Sequence, residues 1–140
     1  MIRLSRLALI ATLFAAGGCA GIATSPPDRL IGTWQVVDIA GKPVVPDAPI
    51  TLVFERDGRL TGHTSCNGFG TQYTIRGDRI TIPRPVMTLR ACEPERMDQE
   101  GRLVTFLDGV TGYRIDGNGT LVLHTAANEN LNARPAGAGR

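Results

Sequence analysis

The chain has 140 residues with 15 basic and 13 acidic side chains, so its formal charge of +2 is small. A near-neutral balance excludes the clustered Lys/Arg that phosphate backbones require, and so argues against nucleic acid as a partner. The length suits one domain with one modest core.

The first segment is not a fold element. Arg3 and Arg6 precede an apolar run, Leu7–Ala16, followed by Gly17-Gly18-Cys19. Positive charge, a short apolar core and small residues ahead of a cleavage point form an export signal, removed from the mature protein. The run is shorter than the roughly 20 apolar residues that span a bilayer. A cysteine directly after the small pair is a lipobox, so residues 1–18 are expected to be cleaved and Cys19 to carry lipid. Ala16 departs from the pattern, since most lipoboxes hold a larger aliphatic residue there. Arg3 and Arg6 are also the whole excess of positive charge. The mature chain then has no polybasic patch for anionic lipid, and acyl chains at about 0.8 kcal/mol per buried CH₂ would anchor it instead. The expected location is the bacterial envelope, and Ala20 rather than Asp after Cys19 favours the outer membrane, facing the periplasm.

Residues 19–31, with Thr24-Ser25-Pro26-Pro27-Asp28, read as a tether. From Gly32-Thr33-Trp34 the pattern becomes short alternating segments separated by turn residues, which is an all-β signature. A strand runs from Trp34 towards Ile39, and Pro43, Pro46 and Pro49 make 41–49 a loop. Ile50, Leu52 and Phe54 alternate with Thr51, Val53 and Glu55, and Arg56-Asp57-Gly58 turns the chain into Leu60–Cys66. A second hairpin is centred on Arg76-Gly77-Asp78, which also spells an integrin-binding tripeptide that a turn explains fully. Pro83 and Pro85 interrupt the segment before Val86-Met87. The period then changes: Met97, Gly101, Val104 and Leu107 form a helical stripe, with Pro94 suited to its first turn and Gly109 to its end. Tyr113–Ile115 and Leu121–Leu123 close the domain around Asp116-Gly117-Asn118-Gly119, and 126–140 are expected to be a disordered tail. The fold class is therefore α+β: mainly antiparallel β, a small curled sheet or partly open barrel, with one packed amphipathic helix over a domain at 32–125.

The candidate chemistry is sparse. With Cys19 assigned to lipid, Cys66 and Cys92 remain, and in an oxidising compartment they are most simply a disulfide; two free buried thiols are the alternative. Zinc would want four ligands, and only His63 and His124 could help, so neither a metal nor a cofactor is expected. Cys66 with His63 is the sharpest catalytic reading. On a strand, however, residues three apart face opposite sides, and no other nucleophile motif occurs, so the chain is read as not an enzyme.

Residues Gly62-His63-Thr64-Ser65-Cys66-Asn67-Gly68-Phe69-Gly70-Thr71-Gln72-Tyr73 resemble the Gly/Cys-Asn/aromatic/Tyr signature of the META domain, the HslJ-like family. Gly32-Thr33-Trp34, Thr88-Leu89-Arg90-Ala91-Cys92, Met97–Glu100 with Phe106-Leu107, and Tyr113–Gly117 before Leu121–Leu123 resemble the family's other landmarks in order. Leu89-Arg90 departs from it, since many relatives carry Met there. The resemblance implies a small barrel-like sheet with a packed helix, and a link to envelope stress, drug tolerance, secretion or motility. It supplies no catalytic residues, and its cysteines fall on Cys66 and Cys92. The function expected is binding or scaffolding, with an envelope protein or a small ligand as partner.

Overall fold

The structure is a computed structural model that describes residues 25–137. The signal and Cys19 lie outside these residues. Eleven strands and one helix follow in chain order: β1 Gly32–Ile39, β2 Lys42–Pro43, β3 Thr51–Phe54, β4 Arg59–His63, β5 Gly68–Gln72, β6 Thr74–Arg76, β7 Arg79–Thr81, β8 Val86–Met87, α1 Pro94–Asp108, β9 Val110–Ile115, β10 Leu121–Thr125 and β11 Asn130–Pro135. All pairings are antiparallel. The fold is thus α+β, mostly strands in a curled sheet with one helix.

The sheet order is β6-β7-β9-β10-β11-β1-β3-β4-β5-β8, with β2 beside β1. Its curl is enforced by the chain itself. β5 ends at Gln72 and β6 begins at Thr74, so a single residue, Tyr73, joins strands from opposite ends of that order. The pairing path therefore bends back on itself. The phenol of Tyr73 fixes the bend from the inside: its ring meets Phe54 edge-on at 5.1 Å, and its hydroxyl donates to the Glu55 carbonyl at 2.6 Å. Close approach is needed opposite this point too. A Cβ on Gly62 would stand 2.1 Å from the Thr51 carbonyl oxygen and 2.7 Å from the ring of its cross-strand partner Phe69. Only glycine lets that ring lie across the strand.

Alternation sets the inner face, apart from a bulge between Val36 and Asp38 on β1 and a buried Val122 on the other face of β10. Trp34, Val36 and Ile39 on β1, Leu52 and Phe54 on β3, and Leu121 and Leu123 on β10 are buried. Each such side chain stabilises the fold by roughly 2 kcal/mol. They fill the inside of the curl, so the interior is a packed core.

Two expectations are corrected at the domain edges. The segment expected to be a disordered tail at 126–140 contains β11, which lies between β10 and β1. Leu131 and Ala133 are both fully buried there, while Asn128 turns the chain with φ 61°. At the other edge, the expected tether already folds by Pro27. Leu30 and Ile31 close turns onto Pro27 and Asp28, Leu30 is fully buried, and the Trp34 indole donates to its carbonyl at 2.9 Å.

The helix is also rotated from its expected setting. Pro94 opens it and Gly109 ends it as expected, but the buried face is Gln99, Glu100, Leu103, Phe106 and Leu107. Met97 and Gly101 are exposed. Two polar residues are buried because they have partners that periodicity cannot reveal.

Registers define two ends of the curl. Gly32 pairs with Phe54, Trp34 with Pro135, and Leu121 with Ile115; Ala136 donates to Thr33 and Arg56 pairs with Asp28. Both ends of the described chain thus share one end of the sheet. At the other end lie Ile39 with Lys42, His63 with Gly68, Thr125, and helix α1.

Candidate functional site

The far end, away from Ser25 and Gly137 at the ends of the described residues, is organised by a buried polar network centred on Asn67. β4 stops at His63 because residues 64–67 turn, with Thr64 N–H donating to the Asn67 carbonyl at 2.8 Å. Left-handed backbone falls on Ser65, at φ 82°. That choice turns the Asn67 side chain inward, where it is only 2% exposed.

Inside, the Asn67 amide works as a bracket. Its Oδ1 accepts from Arg90 N–H at 2.8 Å and from the Thr88 hydroxyl at 2.9 Å. Its Nδ2 donates to the Arg90 carbonyl at 3.1 Å and to Glu100 Oε2 at 3.0 Å. The side chain thus pairs with residue 90 much as a neighbouring strand would. Glu100, from α1, holds the bracket from behind and also accepts from the Thr64 hydroxyl. Gln99, the next residue on the helix, accepts from Val45 N–H at 2.7 Å and donates to the Ala48 carbonyl at 2.8 Å and to Ser65 Oγ at 3.0 Å. The two adjacent side chains, an amide that donates and accepts and a carboxylate that accepts, therefore fasten the proline loop, the 64–67 turn and the 88–92 segment to one helix. A buried network contributes in this way only when its members are satisfied, and these are.

The Cys66 and Cys92 sulfurs stand 2.09 Å apart, disulfide distance, across 26 residues of chain. This places Cys92 beside the same bracket. It also removes the nucleophile from the Cys66–His63 reading. His63 is exposed, and its Nδ1 accepts from Ser65 N–H at 3.2 Å. His124 is distant from both, half-buried on β10 with its ring over Gly112. Among the described residues no group of three or more His, Cys, Asp or Glu is arranged to hold a metal ion. No described helix is long and apolar enough to cross a membrane.

This end carries a groove of about 780 Å³ between α1 and the turns at 40–42 and 126–129. Phe106 and Ile39 form its apolar floor, Gly101 and Thr105 its helical wall, and Lys42 and Arg102 its cationic rim. Asp98 neutralises part of that rim, accepting from Arg102 Nε at 3.1 Å. The sequence gives no motif for this groove. Its small residues, Ala40, Gly101, Ala126 and Ala127, are scattered over three segments.

Comparison with known proteins gives one clear relationship. No functionally curated protein matches the chain. Several solved structures share its fold. A Burkholderia xenovorans protein determined by NMR is similar at TM-score 0.59 and 18% identity, covering 89% of this chain and 99% of its own. A second NMR structure is similar at TM-score 0.62 and 22% identity, over 79% and 94% respectively. A DUF4847 family protein from Bacteroides vulgatus, a crystal structure, is similar at TM-score 0.57 and 18% identity, over 76% and 92%. Residues 28–137 match the META domain, a span that takes in β11 and the turn ahead of β1 as well as the central motifs. The chain belongs to the META domain family.

Proposed function

We propose that this protein is a lipid-anchored component of the bacterial envelope whose META domain binds or scaffolds another envelope molecule without catalysis, in stress response or secretion. The observation that carries the reading is the separation of the two ends of the fold. The lipobox cysteine precedes Asp28 by nine residues, about 30 Å of chain when fully extended. A palmitate-type anchor at Cys19 would therefore tether the end of the sheet nearest Asp28. The helix, the bracketed loops and the groove would face away from the membrane, into the periplasm for an outer-membrane protein.

Radiolabelled palmitate and cell fractionation test the anchor. The wild-type protein is expected in the membrane fraction, labelled, with its precursor accumulating under globomycin. Cys19→Ala is expected unlabelled and released from the membrane. A Cys19→Ala protein as membrane-bound as wild type would sink the anchor.

A small-ligand module is the second reading, and the groove at the far end is what favours it. A volume of about 780 Å³ is within the range of small-molecule sites. The packed interior moves such a ligand from the inside of the sheet, where a barrel module would hold it, to this surface. Native mass spectrometry of protein from its own host checks it, and only apo protein across growth conditions would count against it.

A further inference from the structure

Leu89 is 99% exposed and Val86 is 82% exposed, the two most exposed large apolar side chains among those described. A single exposed leucine on a flexible loop needs no explanation. Leu89 differs in how its backbone is held. On one side, Thr88 N–H donates to the Gly68 carbonyl at 3.0 Å. On the other, Arg90 is gripped through both its N–H and its carbonyl by Asn67. Two residues further on, Cys92 meets Cys66. A free loop could fold an exposed leucine back onto the core, whereas this one is prevented from doing so at every neighbouring residue.

We propose that the 84–92 segment is a preformed docking surface on which Leu89 is the anchor for an apolar pocket rimmed by carboxylates on another envelope protein. The charge of the rim follows from the residues beside Leu89. Arg90 is exposed and makes no ion pair among the described residues, and exposed Arg84 has only a 3.4 Å contact with Asp108. Glu93, the nearest acid along the chain, is drawn away to Arg96 at 3.4 Å. The surface therefore presents an apolar knob beside Arg90, a guanidinium with no ion pair among the described residues, which an acidic rim complements. Fixing the loop before binding removes much of the ordering cost that a mobile loop would incur on association. This also accounts for burying Asn67, Glu100 and Thr64 beneath a surface segment. The inference rests on the reading of the domain as a binding module, and it names the part that binds.

The test uses the full-length protein in its native envelope with a photo-crosslinking benzoylphenylalanine at Ala91, which is exposed and leaves Leu89 in place. The expected result is one protein adduct whose yield falls at least fivefold with Leu89→Ser and at least fivefold with Arg90→Glu. The crosslinked partner peptide is expected to carry Asp or Glu beside apolar residues. Both substitutions are on exposed side chains, and circular dichroism confirms that each variant is folded. Adducts to lipid or to a second copy of the chain would overturn the proposal, as would a protein adduct indifferent to Leu89 and Arg90. The same crosslinker at Ala127, in the groove, separates the two levels of inference. A partner captured there and not at Ala91 would keep the binding module and discard this surface, and no partner at either would discard both.

Discussion

Replacing Asn67 with alanine should cost far more than its small volume implies. The side chain has four partners: the Arg90 N–H and carbonyl, the Thr88 hydroxyl and the Glu100 carboxylate. Three are neutral hydrogen bonds with a net value of about 1 kcal/mol each, and the bond to a carboxylate contributes about 1.5–3 kcal/mol. Some water would enter beside the 88–92 segment, so the expected loss is about 4 kcal/mol. With a urea slope of about 1.5 kcal/mol per molar, the unfolding midpoint should fall by between ~2 and ~3 M. Asn67→Asp is the informative companion. It keeps the shape and the acceptor for Arg90 N–H, but it sets a second carboxylate against Glu100, which now lies about 3 Å from Nδ2. At pH 7 it should destabilise at least as much as alanine, and its deficit should shrink as pH falls, because a proton between two facing carboxyls relieves their repulsion. Adding Glu100→Gln should restore part of the stability at pH 7, because amide and carboxylate then exchange positions. A loss below about 1 kcal/mol for Asn67→Ala, or a deficit of Asn67→Asp unchanged by pH, would refute the bracket as described.

Two further outcomes are expected of the same domain. Protein exported to the periplasm as Cys19→Ala should show no free thiol when denatured without reductant and two after reduction, and reduction should lower stability by about 3.5 kcal/mol for a loop of 26 residues; two thiols before reduction would remove the bond. Burial pushes the Tyr73 phenol up to about 12 from an ordinary value near 10, so the neutral form is favoured in the folded state. Its contribution is complete below pH ~10 and is lost as pH rises towards ~12, up to about 3 kcal/mol. Tyr73→Phe should lower stability by about 1 kcal/mol at pH 7 and flatten that alkaline decline in urea midpoints; an unchanged decline would assign it elsewhere.

Much of this fold is legible in the sequence because apolar residues recur at alternate positions along its strands. Leu52 and Phe54, Ile80 and Ile82, and Leu121 and Leu123 announce an inner face, and the turns at Gly58, Gly77 and Gly119 take left-handed backbone as their glycines suggest. β11 is missed because its inner face is only Leu131 and Ala133, set among asparagines, and because the three residues of its turn before Glu129 look like a low-complexity tail. Its alternation was the available signal. The helix face is misread for a different reason. Gln99 and Glu100 satisfy their polar atoms with residues 33 to 54 positions away, whereas apolar spacing alone sets the stripe on Met97, Gly101 and Val104. The bracket itself could not be read in advance, since Asn67 and Gly68 carry an equally good local turn signal. Their resemblance to a family motif located the residues without giving the job they do.

The position of β11 has a consequence for when this protein can fold. β1 is flanked by β3 on one side and by β11 on the other, so the first long strand of the domain waits for the last. Trp34 faces Pro135 across that seam, and Ile39 faces Leu131. A chain made from its N-terminus holds β1 half-paired, with one edge open, until almost the whole sequence is available. Pairings this distant in sequence are slow to form. The sheet closes across this seam only when β11 enters beside β1.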